Sequence, residues 1–182
     1  MISRRTAIGL CAATAAAAVL CLVPGAGRAA DKGFQEKFKV GDKAPDFTTK
    51  DIDGGTVKLS SFKGQKVIML NFWGIRCGSC IEEMPYLEAM YQKYKDKPVA
   101  FLGVDTDGVN GDIIRGALSD LKLKVSYPLL LDEEFAITDI YTNFLVPLTI
   151  VIDRDGIIQY IHTGFEKGRE KEYEDALKKV LG

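Results

Sequence analysis

Asn71-Phe72-Trp73-Gly74-Ile75-Arg76-Cys77-Gly78-Ser79-Cys80 sets two cysteines three apart, where an apolar run gives way to a helical pattern. Residues one turn apart on a helix bring their Cβ atoms to roughly 5–6 Å. That is close to disulfide range, so a small adjustment lets two sulfurs bond or part. A thiol in the first helical turn also feels the positive end of the helix dipole, which favours thiolate. The pair is suited to switching between dithiol and disulfide.

The chain has 182 residues, four cysteines and a formal charge of −1. That length suits one globular domain with a substantial core, plus a leader. Residues 1–30 have the order of a secretory signal: Arg4 and Arg5, an Ala-rich apolar run from Ala7 to Val23, then Pro24 and Gly25 and small residues around Arg28. A cut after Ala29 leaves Gly27 and Ala29 at the small-residue positions. An uncleaved N-terminal anchor is the alternative, although the run is at the short limit for a spanning helix. Ser3-Arg4-Arg5-Thr6 also has the look of a twin-arginine export signal. Cys11 and Cys21 follow Leu10 and Leu20, not small residues, and read as apolar members of the leader.

The leader holds three of the 24 Lys and Arg and none of the 25 Asp and Glu, so its removal takes the charge to about −4. No long basic stretch points to nucleic acid. Only Cys77 and Cys80 remain, too few and too close together for a disulfide scaffold. A bridge closing so short a loop adds little to folding, because loop-closure entropy rises with loop length. The pair therefore points to chemistry, not bracing. Four ligands make a tetrahedral zinc site, and with no second cysteine pair and His162 the only histidine, no metal site is expected.

Residues 31–40 are charged and read as a tether, and residues 41–182 as the domain. Phe47–Lys50 and Thr56–Leu59 flank Asp53-Gly54-Gly55, a hairpin signal. Val67–Phe72 is a nearly continuous apolar run, as expected of a strand covered on both faces, and Val99–Asp105 reads as another buried strand. Ile81, Met84, Leu87, Tyr91 and Tyr94 recur at helical spacing, with Pro85 inside expected to kink the helix. Gly111–Leu123 is expected as a helix with Ile113, Ile114, Ala117, Leu118 and Leu121 inward. Leu129–Leu131 is a short strand and Glu134–Tyr141 a short helix. Leu148–Ile152 and Ile157–Ile161 flank Asp153-Arg154-Asp155-Gly156, a second hairpin, and Glu170–Leu181 closes the chain as a helix. This order implies a layered α/β domain with a mixed sheet, and such folds place chemistry at the carboxyl ends of strands.

At these residues the chain resembles the thioredoxin superfamily, and within it the ResA/TlpA branch of extracytoplasmic thiol-disulfide oxidoreductases. The resemblance rests on Lys43-Ala44-Pro45-Asp46-Phe47, Leu59-Ser60-Ser61-Phe62-Lys63-Gly64, Leu70-Asn71-Phe72-Trp73-Gly74, Cys77-x-x-Cys80, Glu83-Met84-Pro85, Val146-Pro147 and Val151-Ile152-Asp153-Arg154-Asp155-Gly156. It implies a thioredoxin-like α/β fold: a mixed central sheet flanked by helices, an N-terminal β-hairpin and a central α/β insert. It implies Cys77 as nucleophile, Cys80 as resolving thiol, and Pro147 as a cis-proline facing the pair. Val146 would then offer its backbone to an extended substrate segment. No cofactor is implied beyond the redox-active Cys77–Cys80 disulfide. Two departures stand out: Arg76 where the family usually has Trp, and Ser79 where many members have Pro. Arg76 favours thiolate and attracts acidic substrate surfaces.

The implied reaction is attack of the Cys77 thiolate on a target disulfide, then release of the reduced target by Cys80. Glu83 can take the Cys80 proton if burial raises its pKa; the plainer reading is an acid favoured by the helix dipole. Asn71 stands where thioredoxins often carry a buried acid, which adds weight to Glu83. Glu82 reads as solvated surface, His162 as a partly buried or surface imidazole, and Tyr91 and Tyr94 as core. Trp73 reads as packing beside the site, with substrate contact as the alternative.

The implied partners are disulfide-bearing client proteins, typically apocytochrome c or copper-site proteins of oxidase assembly, and a membrane thiol-electron donor. The implied place is the periplasm or another extracytoplasmic space. A peroxiredoxin-like peroxidase shares the opening segments, but that family has Thr or Ser three residues before its cysteine, where this chain has Gly74. A copper-binding assembly chaperone of the same fold uses a wider cysteine spacing and a distant histidine.

Overall fold

The fold is given by a computed structural model that describes residues 37–182. The leader and the first six residues of the tether lie outside the described residues. Strand β3 (Val67–Trp73) and strand β4 (Val99–Asp105) are buried along their whole length. They pair in parallel, from Val67 opposite Val99 to Trp73 opposite Asp105. Parallel neighbours need a long crossover, and helix α1 (Gly78–Tyr94) supplies it.

The sheet is completed by β5 (Leu129–Leu130), β6 (Leu148–Ile152) and β7 (Ile158–Thr163), in the order β5-β4-β3-β6-β7. Strand β6 runs antiparallel to both β3 and β7, which makes the sheet mixed. The N-terminal hairpin, β1 (Thr48–Lys50) with β2 (Thr56–Lys58), forms its own two-stranded sheet. Its turn is held by Asp51 Oδ1, which accepts from the N–H groups of Asp53 and Gly55. Helix α2 (Gly111–Asp120), β5 and helix α3 (Ala136–Tyr141) separate β4 from β6, and α4 (Glu170–Leu181) closes the chain.

Alternation along the strands builds two apolar layers. Val67, Met69 and Trp73 of β3 meet Met84 and Leu87 of α1, Ile114 and Leu118 of α2, and Tyr173 and Leu177 of α4. Ile68, Leu70 and Phe72 face the other way, onto Phe47, Leu59, Ile137 and Tyr141. The Tyr141 ring gathers Phe38, Phe47 and Phe72 at centroid distances of 5.5, 6.0 and 5.2 Å, so packing reaches back to residue 38 of the segment read as a tether.

The fold departs from the sequence expectations in four places. Ile113 and Leu121, expected inward, are 51% and 45% exposed. The Asn110 carboxamide caps α2 by accepting from Asp112 and Ile113, and only the Ile114–Leu118 pair, four apart, meets the sheet. Leu121 is already the C-cap: Lys122 turns left-handed and the Leu123 N–H bonds back to the Leu118 carbonyl. Helix α3 starts two residues later than expected, because Phe135 takes φ +58° and the Asp132 carboxylate caps Ile137 and Thr138. Tyr91 is half-buried at the core's edge, its ring 5.8 Å from Phe101 and 5.9 Å from Tyr127. Helix α1 runs unbroken through Pro85.

This packing makes neighbouring isoleucines unequal. Ile114→Ala should lower the unfolding free energy by about 2–5 kcal/mol, whereas Ile113→Ala should stay within about 0.5 kcal/mol of the parent. Urea denaturation of both variants checks the assignment, and equal losses would refute it.

Candidate active site

The site forms where β3 hands over to α1. Trp73 ends the strand and its carbonyl accepts both the Thr106 N–H, at 2.8 Å, and the Thr106 hydroxyl, at 3.0 Å. The Asp107 carboxylate accepts from the Ile75 N–H, fixing the turn that leads to Cys77. Cys77 is the N-cap of α1, with extended backbone (φ −91°, ψ 102°). Its sulfur accepts from the Cys80 N–H at 3.2 Å, and the Ser79 hydroxyl lies 3.5 Å away. A sulfur thus takes the place that Ser or Asp usually fills at a helix start.

Cys77 and Cys80 are joined in a disulfide, with Cα atoms 5.2 Å apart. Cys77 is half-buried and Cys80 is fully buried. An incoming thiol or disulfide therefore meets Cys77 first. Facing it is the Val146–Pro147 peptide, which is cis. The Val146 carbonyl oxygen lies 3.6 Å from Cys77 Sγ. Pro147 is buried at the start of β6, and its carbonyl accepts the Gly164 N–H at 2.7 Å. Arg76 is exposed beside the pair. Trp73 packs, and the alternative of a substrate contact is corrected: at 1% exposure its ring lies in the core with Cys80 and offers a client no surface.

Glu83 is one turn beyond Cys80, on the same stripe of α1. It is 1% exposed. Asn71 Nδ2 donates to its Oε2 at 2.9 Å, and the Thr149 hydroxyl donates to its Oε1 at 3.3 Å. Asn71 and Thr149 are register partners across β3 and β6, so the sheet presents both groups to one carboxyl. The Tyr173 hydroxyl, from α4, is shared between this carboxyl and the Gly164 carbonyl, to which it donates at 3.3 Å. Burial pushes the Glu83 carboxyl up to about 7, and the three hydrogen bonds offset that only in part. Asn71 Oδ1 is left buried without a partner.

Sequence reasoning brought together Cys77, Cys80, Glu83, Arg76, Val146 and Pro147, and missed Thr149, Tyr173 and Asp107. The alternation of β6 places Thr149 on the Asn71 face, a usable signal. Tyr173 was legible only as an apolar member of α4. His162 lies away from the sulfurs in an aromatic group, 6.3 Å from the Tyr160 ring and 5.5 Å from the Tyr173 ring. Asp105, at the end of β4, is a second buried acid, pushed up to about 6 by burial and anchored by the Val109 N–H.

The profile of the redoxin family matches residues 39–177. A thiol-disulfide oxidoreductase ResA from Bacillus thuringiensis is 36% identical over 148 residues, covering 80% of this chain and 81% of its own. A crystal structure from Chlorobium tepidum, provisionally described as a thiol:disulfide interchange protein DsbE, is 30% identical with a TM-score of 0.72, over 80% of this chain and 99% of its own. The thioredoxin domain of a thiol-disulfide oxidoreductase from Bacteroides vulgatus is 28% identical with a TM-score of 0.61, over 79% and 99%. The chain belongs to the redoxin family, as a ResA-like thiol-disulfide oxidoreductase with a thioredoxin-like fold.

Proposed function

We propose that the protein is an extracytoplasmic reductase of client-protein disulfides, with Cys77 as nucleophile, Cys80 as resolving thiol and Glu83 as the proton acceptor. The observation that carries this reading is the layering of the site: an accessible sulfur at residue 77, a buried one at residue 80, and a buried carboxyl one turn further down. The leader supports export, although it lies outside the described residues. No helix among the described residues is long and apolar enough to cross a membrane.

The reduced enzyme carries two thiols. The Cys77 thiolate attacks one client sulfur; an S–S bond forms to Cys77 and the client's other sulfur leaves as thiolate. The Cys80 N–H and the Ser79 hydroxyl face the attacking sulfur. The Val146 backbone pairs with the client chain. Cys80 then passes its proton to Glu83 and attacks Cys77, forming the internal disulfide and expelling the second client thiol. Two electrons have moved from enzyme to client, and a thiol donor in the membrane restores the dithiol. When Glu83 takes the proton, a half-turn of the Asn71 amide presents Oδ1 to the new O–H. The client class proposed is apocytochrome c or oxidase copper-site proteins, with haem- or metal-binding cysteines that must be reduced before assembly.

Cys80→Ser removes the resolving thiol and should hold the physiological partner on Cys77. Recovery of a cytochrome or oxidase precursor after alkylation and mass spectrometry supports the pathway. A trap that yields no thiol partner, while Cys77 stays reactive, counts against client reduction.

The protonation step has its own signature. With thionitrobenzoate on Cys77, its release by Cys80 should rise with pH through about 7. Glu83→Gln should slow release at pH 7 by on the order of 10²-fold. Tyr173→Phe removes a donor to the charged carboxylate, so the midpoint should move up. Superimposable profiles for all three proteins would remove Glu83 from the mechanism.

The same raised pKa has a stability consequence. Glu83 stays neutral in the fold while the unfolded chain ionises, so its contribution is intact in acid and is lost as pH rises through about 7. The advantage of Glu83→Gln over the parent should therefore grow by about 1–3 kcal/mol between pH 4 and pH 8. Urea titrations of the oxidised proteins at both pH values measure it; a constant difference would contradict the burial effect.

A further inference from the structure

Five large apolar side chains stand exposed among the described residues: Val40, Ile113, Leu121, Ile140 and Phe144. Phe144 is the only aromatic one, and it is 56% exposed. It lies two residues before Val146, the residue whose carbonyl faces Cys77 Sγ. Two residues span at most about 7 Å of chain, so the Phe144 backbone adjoins the exchange site.

Phe144 is also conformationally unusual. Its φ is +61°, the left-handed region that a bulky side chain avoids. The Phe144 N–H donates to the Thr142 hydroxyl at 2.7 Å, and its ring lies 5.8 Å from that of Phe135. Phe135 is left-handed too, at φ +58°. Its ring lies over Gly108, where an added Cβ would come within 2.9 Å of Phe135 Cε1, so only glycine leaves room for it. Gly108 follows Asp107, the residue that holds the turn before Cys77. A closed circuit results: Cys77, the Ile75 turn, Asp107-Gly108, Phe135, Phe144, Val146 and back to Cys77.

Strain kept at a functional rim points to use, and so does an apolar ring held open to water beside a reactive sulfur. A client joined to Cys77 and paired along Val146 must pass this rim, and in an extended segment alternate side chains face the same way. We propose that Phe144, backed by Phe135, is an aromatic shelf that grips an apolar, preferentially aromatic, side chain one or two positions from the client's reactive cysteine. The proposal rests on the client-reductase reading and specifies which polypeptide segments that site takes.

The test uses the reduced full-length protein and two symmetric disulfides of a short peptide, differing only in Phe or Ser beside the cysteine. The sole tryptophan, Trp73, reports oxidation in stopped flow. The parent should favour the Phe peptide by roughly 3- to 10-fold in kcat/KM, the range an aromatic pair supplies. Phe144→Asn tolerates the left-handed backbone but lacks the ring, and its ratio should fall to about 1. Phe144→Tyr should restore the preference. A ratio is insensitive to partial loss of fold or of thiol reactivity. No preference in the parent, or an unchanged preference in Phe144→Asn, overturns the shelf. So does concentration-dependent self-association of the parent that Phe144→Asn abolishes, since the ring would then cover a second copy. Exchange with neither peptide in any of the proteins would instead overturn the reductase reading itself.

Discussion

The hydrogen bond from the Cys80 N–H to Cys77 Sγ organises this molecule's chemistry. A helix start leaves backbone N–H groups without partners, and here a sulfur takes one of them at 3.2 Å. The same atom is bonded to Cys80 Sγ in the disulfide and is the one proposed to attack a client once reduced. Capping and reactivity are therefore one interaction. It requires that α1 begin at residue 78, which in turn requires the turn between Trp73 and Cys77 to be held, as Thr106 and Asp107 hold it. Thr106 and Asp107 directly follow the carboxyl end of β4, so the parallel pairing of β3 with β4 is what delivers them.

Beneath the sulfurs the fold accepts a cost. A buried carboxyl disfavours its own ionisation, and only donors from other elements make the site tolerable. Three elements contribute: Asn71 from β3, Thr149 from β6 and Tyr173 from α4. The donors are neutral, so none commits Glu83 to the charged form as an arginine would. The carboxyl is left balanced near neutrality, where a proton acceptor for a buried thiol is useful. The orphaned Asn71 Oδ1 fits the same account, because a group that must serve two protonation states cannot be fully satisfied in one.

Much of this was legible in the residues. Nearly continuous apolar runs at Val67–Phe72 and Val99–Asp105 pointed to strands covered on both faces, and Asp-Gly turns marked both hairpins. Cysteine spacing at a strand–helix junction located the reactive pair without any fold. What stayed hidden depends on register or on backbone handedness. Ile113 and Ile114 are alike in composition, and only the helix phase set by the Asn110 cap separates them. Tyr173 packs as a core ring whose hydroxyl acquires meaning only when α4 lies beside Glu83. Phe135 and Phe144 take a conformation their residue type disfavours, which no propensity announces.

That last pair bears on where specificity resides. Among the described residues, three that are not glycine take positive φ: Lys122, Phe135 and Phe144. Lys122 is accounted for by ending α2. The other two carry bulky rings, for which the left-handed region costs roughly 1–2 kcal/mol each. The sulfurs and Glu83 are set on α1, which packs in the core, whereas the Val146 carbonyl lies in the α3–β6 connection, two residues after Phe144. The aromatic rings are set on the connections either side of α3, Phe135 just before it and Phe144 just after it. In the proposal, reaction and recognition meet in the α3–β6 connection. Helix α1 supplies the sulfurs, and this connection supplies both the carbonyl that faces Cys77 Sγ and the ring that selects the polypeptide.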